Sequence, residues 1–436
     1  MSRLRPTGAI GYRWLLVTRI QPAPPSAART PARVRLERTL LVIGVLALGF
    51  NLRGAITSLP PIFPELQQAL GLSGQQITVL ATIPVLCFGV FPVIAAPLSR
   101  RFGEERVLGI SLSLVAAGLI LRGALPGSLL YPGTVLACAA IALLNVLLPS
   151  LIKRRQPSRA GLLIGIYLLS LSTGAVFGSL LAVPGYRYAA HAPWTGGPVR
   201  FSLGLWAVPA AIAFVAWLPQ WRYRTVPAAA SGAREVRVAV ARHALAWQVT
   251  AFMGLQSLSY YAALSWLPTL LRDRGATAAH AGDLLALMNV GNAVTCMLIP
   301  VLAHRMPGQR VLVVPTVIAT AAGLAGALYG SLGSAWAWIL LLGLAQGSSL
   351  GLGIFFTMAR APDPVAAASL SALAQGGGYL LAATGPLAVG LLHASTGGWD
   401  IPVDLLLVLC AAQLAAGWLA ARDRVLPLPG PAHPSG

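Results

Sequence analysis

Acidic side chains are scarce in this chain. Of 436 residues only eleven are Asp or Glu, against 31 Lys and Arg, and charged residues together make up 10%. A soluble domain carries about 25%. Placement matters more than number. Glu37, Glu65, Glu104, Glu105, Glu235, Asp273, Asp283, Asp363, Asp400, Asp404 and Asp423 all fall outside the long apolar runs or close to their ends. The histidines behave alike: His304 and His393 stand at run ends, and His191, His243, His280 and His433 in connections. There is therefore no carboxylate pair, no metal-binding cluster and no nucleophile beside a base, which excludes an intramembrane enzyme. No cofactor or metal is expected. A carrier of cations would want a buried acid as counter-charge, and none is present.

Cysteine is also rare. Cys87, Cys138, Cys296 and Cys410 stand singly in apolar runs, with no CxxC spacing, and read as small buried hydrophobes. Lysine is nearly missing, Lys153 being the only one. The net charge of +20 suggests nucleic acid at first sight. The arginines, however, sit in connections and termini, with no soluble aromatic-interleaved domain around them, so no nucleic-acid partner is expected.

What the chain has in abundance is apolar sequence, 56% of it. Runs of about 20 residues recur, the length that crosses a bilayer as a helix. A closed barrel would alternate over about ten residues instead. Twelve spans are predicted, at roughly 39–59, 77–98, 107–125, 131–152, 160–183, 201–218, 245–267, 282–303, 311–332, 336–357, 365–392 and 401–421. This is an all-α polytopic membrane protein. It divides into a disordered basic arm (1–38), a six-helix bundle (39–219), a basic linker (220–244), a second six-helix bundle (245–421) and a Pro-rich, unstructured tail (422–436). The bilayer is its environment, and a monomer is expected.

Loop charge sets the expected orientation. With the N-terminus inside, 25 of the 31 basic residues lie on the cytoplasmic side. Five lie opposite (Arg122, Arg187, Arg200, Arg272 and Arg274), and Arg53 is left over. Both termini are then cytoplasmic, in a cell or inner membrane. A parallel internal repeat supports the two-bundle reading. A shift of about 204 positions lays Pro64-Glu65-Leu66 on Pro268-Thr269-Leu270, Arg101 on Arg305, and Arg106-Val107-Leu108 on Arg310-Val311-Leu312. One further residue of slip lays Arg155 on Arg360. Such repeats are the logic of secondary transporters, whose substrate sits near mid-membrane between rocking halves.

Arg53 lies within Asn51-Leu52-Arg53-Gly54-Ala55-Ile56-Thr57, inside the first span. Arginine cannot shed its proton, and a guanidinium at a helix centre costs roughly 2.5–3.5 kcal/mol on insertion scales. Such a residue faces a bundle interior and marks a substrate or ion path, unless it snorkels to the headgroups. The remaining intramembrane polar groups are neutral: Asn51, Gln256, Tyr260, Tyr261, Asn289, Asn292, Asn145, Gln346, Gln375 and Tyr379. Gln256 and Tyr260 share a helix face, as do Gln375 and Tyr379. Two such amide–phenol pairs facing Arg53 would make a small anion or polar-ligand site, with Asn51 and Asn289 completing it. Hydrogen bonds between helices are the competing explanation. Gly174 and Gly178, and Gly343, Gly347 and Gly351, have the small-xxx-small spacing of close helix pairs.

The turn Arg100-Arg101-Phe102-Gly103-Glu104-Glu105-Arg106 resembles the loop after the second span of the major facilitator superfamily. It differs in having Arg100 where an acid is usual and Glu104-Glu105 where bases are usual. The resemblance implies gating roles for Arg101, Gly103 and Arg106. Asn51 to Ser58, Leu86-Cys87-Phe88-Gly89, Gly254-Leu255-Gln256-Ser257-Leu258, Trp266-Leu267-Pro268, Ala374-Gln375-Gly376 and Thr396-Gly397-Gly398-Trp399 are similar to the cyanate/nitroimidazole permease branch of that superfamily. That branch implies a secondary or facilitative transporter of a small, cyanate-like anion or polar solute, with Arg53 as counter-charge. A proton-driven exporter of nitroimidazole-like or other small aromatic compounds is the alternative.

Overall fold

The computed structural model describes residues 31–192, 196–226, 233–306 and 308–427. These form sixteen α-helices and no strand. In the first half α1 (Pro31–Thr57) is followed by a 3₁₀ turn, α2 (Phe63–Leu70), α3 (Gly74–Val90), α4 (Pro92–Phe102), α5 (Glu104–Ala124), α6 (Pro126–Arg155), α7 (Ala160–His191), α8 (Gly197–Leu205) and α9 (Ala207–Trp217). Helix α10 (Ala233–Ala241) lies in the linker. The second half holds α11 (Ala244–Asp273), α12 (Ala278–Arg305), α13 (Arg310–Tyr329), α14 (Ala335–Ala359), α15 (Pro364–Thr396) and α16 (Asp400–Ala420).

Local chemistry sets these boundaries. Ser73 and Gln76 form a reciprocal capping box that starts α3, at 3.2 and 2.8 Å. Asp363 caps α15 through the Val365 and Ala366 amides at 2.8 and 2.9 Å. Gly103, at φ +88°, turns the chain between α4 and α5, where a Cβ would meet Arg224 Cγ at 2.8 Å. The second span is broken at Phe91-Pro92 and bends there by 54°, whereas Pro84 sits inside the unbroken α3.

Among the described residues ten helical segments, or eleven with the bent α3–α4 pair, are long and apolar enough to cross a membrane. The sequence predicts twelve, and α11 is the segment in question. It runs for 30 residues, but Gln256, Ser257, Ser259, Tyr260, Tyr261 and Ser265 on it are all buried within the protein. A helix surrounded by other helices need not match lipid, so its composition carries less apolar signal. The arm expected over 1–38 is helical from Pro31; its first thirty residues lie outside those described. The linker expected as a loop contains α10. In the tail, Leu426 is buried and its amide bonds the Arg360 carbonyl at 2.9 Å, so the chain is packed to that point; residues 428–436 lie outside the described ones.

The glycine stripes are close helix crossings. Any Cβ at Gly174 or Gly178 would strike Phe50, Gly54 or Thr57 of α1, and one at Gly343 or Gly347 would strike Met288 or Asn292 of α12. The halves meet through α3 against α15 and α7 against α12. Their contacts gather at the end away from the linker. There Arg272 Nη1 pairs with Glu65 Oε2 at 2.8 Å and donates to Pro61 O at 3.4 Å. Nearby, Phe63 and Trp266 rings lie 6.1 Å apart, and Gly390 abuts Thr78. Along α3 the contact persists as far as Gly89 on Leu380. Beyond Phe91 the chain turns away, and α4 packs on α5 and α6 of its own half.

The repeat is visible in hydrogen bonding too. Arg155 Nη1 donates to Gln220 at 2.8 Å and lies 3.8 Å from Glu105. Its counterpart Arg360 donates to Gln309 at 2.6 Å, and Gln309 occupies the repeat position of Glu105.

Candidate functional site

Arg53 sits on the last turns of α1, within its glycine-tight crossing with α7, between Phe50 and Gly54. Its Nη1 donates to the Tyr260 hydroxyl at 2.8 Å. Tyr260 in turn donates to Asn289 Oδ1 at 3.0 Å. The Asn289 amide reaches Leu285 O at 3.0 Å and, more weakly, Ser179 Oγ of α7 at 3.4 Å. The chain of bonds thus starts in the first half, crosses into the second and returns to the first. Among the described residues Tyr260 is the one hydrogen-bond partner of the Arg53 guanidinium, and no carboxylate pairs with it.

Aromatic rings surround the guanidinium. Its Cζ lies 5.3 Å from the Tyr260 ring centre and 5.5 Å from that of Tyr261, cation–π range for both. Tyr261 stands edge-on to Tyr260 at 5.1 Å and lies 6.2 Å from both Phe88 and Tyr379. Phe88 and Tyr379 are 5.7 Å apart. Phe88 belongs to the first half and the tyrosines to the second, so the rings also straddle the junction. The Tyr261 hydroxyl is buried and has no hydrogen-bond partner among the described residues. A buried phenol normally finds one, so this donor is available to a ligand.

Of the residues expected at the site, the structure brings Arg53, Tyr260, Asn289 and Tyr379 together. Three others bond elsewhere. Asn51 donates to Ala47 O at 2.8 Å and to Pro209 O of α9 at 3.0 Å, joining helices of the first half. Gln256 donates to the Gln346 side chain and carbonyl, both at 3.3 Å, and Gln346 donates to Ser259 at 2.8 Å. That network lies wholly within the second half. Gln375 is exposed and bonds Ser371 of its own helix at 2.9 Å. Asn145 accepts from Tyr167 at 3.1 Å, inside the first half.

The expected gating residues lie at the linker end. Arg101 and Arg106 are exposed; Arg101 stacks on Phe102 at 5.3 Å. The bonding at that turn is done by its acids. Glu105 accepts from the Thr225 amide and hydroxyl at 2.7 and 2.6 Å, and Glu104 accepts from Ser150 at 2.9 Å. Phe88 and Tyr261 were less legible: Phe88 reads as an apolar span residue, and Tyr261 as the neighbour of the better-placed Tyr260. A cleft of about 490 Å³ bordered by Ala69, Pro126, Ser128, Pro198 and Arg200 takes in none of these residues.

A guanidinium with unused donors, a free phenol and a ring wall can hold a small anion or a strong acceptor. Among the described residues no Asp, Glu or His bonds the cluster, whose titratable neighbours are the phenols of Tyr260, Tyr261 and Tyr379. Two long helical halves meeting around such a cluster define a polytopic carrier. The chain belongs to the Major Facilitator Superfamily, whose family model matches residues 40–386. It is a multi-pass membrane transporter of small solutes, not an enzyme.

Its similarity to individual proteins is extensive. It is 36% identical over 393 residues to the 2-nitroimidazole transporter of Escherichia coli, covering 89% of this chain and 97% of that protein. It is 29% identical over 366 residues to the cyanate transport protein CynX of Escherichia coli, covering 82% and 91%. The fold matches a crystal structure of a bacterial homologue of the human lysosomal transporter Spinster, with a TM-score of 0.72 at 15% identity, covering 90% of this chain and 99% of that one.

Proposed function

We propose that this protein is a secondary or facilitative carrier that moves a small anion or small polar organic solute, cyanate-like in size, by alternating access. Arg53 is the counter-charge for the cargo. Tyr260, Asn289 and Tyr379 complete the site, while Asn51, Gln256 and Gln375 support the helices that carry it. The observation that carries this reading is a permanent positive charge without a carboxylate partner, held by a neutral phenol where the two halves meet.

The architecture proposed with it is twelve spans, α11 included, in bundles 39–219 and 245–421. Both termini face the cytoplasm, the membrane is the inner or cytoplasmic one, and the carrier works as a monomer. In this orientation the Glu65–Arg272 end is external and closed, so the conformation is inward-facing. The similarity to a nitroimidazole transporter and to a cyanate transporter agrees with cargo of this size. Uptake of labelled cyanate, 2-nitroimidazole and 4-hydroxybenzoate into proteoliposomes, for the native chain and Arg53→Gln, tests the proposal. Saturable uptake of an anion that Arg53→Gln abolishes is expected; wild-type rates from that variant would overturn it.

The ring wall of Phe88, Tyr261 and Tyr379 favours a second reading, a proton-driven exporter of small aromatic compounds. Proton relays in membranes run through Asp, Glu or His, and none touches the cluster among the described residues. A lumenal pH dye in the same vesicles separates the two: the carrier reading expects no proton movement with a cargo that has no titratable group.

A further inference from the structure

A second guanidinium is buried in the first half. Arg122, which loop charge counting places in an external connection, stands in the last turn of α5 and is 2% exposed. No carboxylate pairs with it among the described residues. Its Nε donates to Leu203 O of α8 at 3.2 Å, and Nη1 and Nη2 both donate to Ala55 O of α1, at 3.4 and 3.3 Å. A buried charge that cannot be discharged is costly and survives only where its hydrogen bonds are needed.

The need is written in the sequence after α1. Leu59 is followed by Pro60 and Pro61, which have no N–H to give to the preceding turn. The Leu59 amide bonds Ile56 O at 3.3 Å and leaves Ala55 O for other donors. The end of α1 is thus a negative helix pole with unspent carbonyls. Ser58 Oγ supplies one donor to Ala55 O at 3.2 Å. Arg122 supplies two more from a different helix, together with a full positive charge at the pole. Ala55 lies two residues beyond Arg53. Between them Gly54 is pressed against Trp206, at 2.7 Å from where its Cβ would be. The same arginine therefore holds the end of α1 and the α8 carbonyl beside that tryptophan.

We propose that Arg122 is a positioning residue for Arg53. It caps the broken end of α1 from α5, keeps the turn carrying Arg53 helical, and places a second fixed positive charge behind the site. The part concerning charge rests on Arg53 being the counter-charge of an anion; the part concerning the cap does not.

Hydrogen exchange tests the cap without any ligand. Arg122→Met should speed exchange in residues 53–59 by about tenfold or more, the scale of one lost charged hydrogen-bond partner. Arg122→Gln, which keeps donors and drops the charge, should restore much of the protection and serves if the Met variant folds poorly. Faster exchange confined to α5 and α8, with 53–59 unchanged in both variants, would overturn the cap. The charge is read with Arg53→Cys in a chain whose Cys87, Cys138, Cys296 and Cys410 are replaced by serine. A sulfonatoethyl methanethiosulfonate should label the single introduced thiol faster than the trimethylammonioethyl reagent. Arg122→Gln should lower that ratio by about three- to tenfold, and Arg122→Lys should keep it. An unchanged ratio in Arg122→Gln would overturn the field contribution. Wild-type anion uptake by Arg53→Gln would sink the counter-charge reading while leaving the exchange result standing.

Discussion

At the residue scale, the two membrane-buried arginines of the first half differ in what they lack. Arg122 gives its donors to carbonyls, whereas Arg53 gives one N–H to a neutral phenol and sits against two tyrosine faces. Uptake of the anion should fall to background in Arg53→Gln with the protein still inserted. Arg53→Lys should recover only part of it, since an ammonium cannot offer the planar two-donor fork. Tyr260→Phe removes the hydroxyl that both holds Arg53 and donates to Asn289. The loss of a hydrogen bond to a charged group is about 1.5–3 kcal/mol. Apparent affinity should therefore drop roughly ten- to a hundredfold, measured as KM in the proteoliposome assay.

At the scale of elements, α11 is the most burdened helix. It carries Tyr260 and Tyr261 towards Arg53, and Gln256 and Ser259 towards Gln346 of α14. Gln256→Ala leaves the Gln346 amide network short of a partner inside the second half. Thermal stability should fall by about 1–3 kcal/mol, the cost of an unsatisfied buried group, while KM stays unchanged. A shifted KM with unchanged melting would instead place Gln256 at the substrate. Helix α7 comes closest to α1 at Gly174 and Gly178, where it has no side chain. Gly174→Ala drives a methyl into the Phe50 carbonyl, with nothing flexible to give way. Overpacking typically costs about 1–3 kcal/mol; because α1 carries Arg53, transport by the folded fraction should fall as well.

At the scale of the whole molecule, the halves touch along α3–α15 and α7–α12, and beyond the break at Phe91-Pro92 α4 packs on α5 and α6 of its own half. On the alternating-access reading proposed above, moving to the other access state opens the Glu65–Arg272 end. That pair is partly exposed, with side chains 19% and 23% accessible, so it contributes no more than about 1 kcal/mol. Glu65→Gln should shift the population towards opening at that end by up to about fivefold. The swap Glu65→Arg with Arg272→Glu should bring it back, as read by spin-label distances across the two helices. A shift unaffected by the swap would assign the effect to something other than this pair. Coupling belongs to this scale too. Net movement of one charge across 100 mV is worth about 2.3 kcal/mol, so anion uniport should respond strongly to a clamped potential. Exchange of like charges, or entry of a neutral acid, should respond weakly.

The sequence by itself determined what the bilayer demands. Apolar runs long enough to span it appear as helices because every backbone group must bond within its own segment. The repeat at about 204 positions, the glycine crossings and the isolated Arg53 were legible for the same reason: spacing and polarity are local properties of the chain. The family resemblance was legible in short motifs that stay together. Which neutral polar group meets Arg53 was decided only by the tertiary structure. Tyr260 and Gln256 share a helix face by spacing, yet one turn apart along α11 Tyr260 meets the other half and Gln256 bonds within its own. Gln375 repeats the spacing with Tyr379, yet it is exposed and gives its amide to Ser371 of its own helix. Arg122 is the clearest case. Its position at the end of an apolar run is shared by any loop arginine. Only the approach of α5 to a helix end stripped of donors by Pro60 and Pro61 makes it a buried cap, because the free energy of a charge depends on the carbonyls around it rather than on its neighbours in sequence.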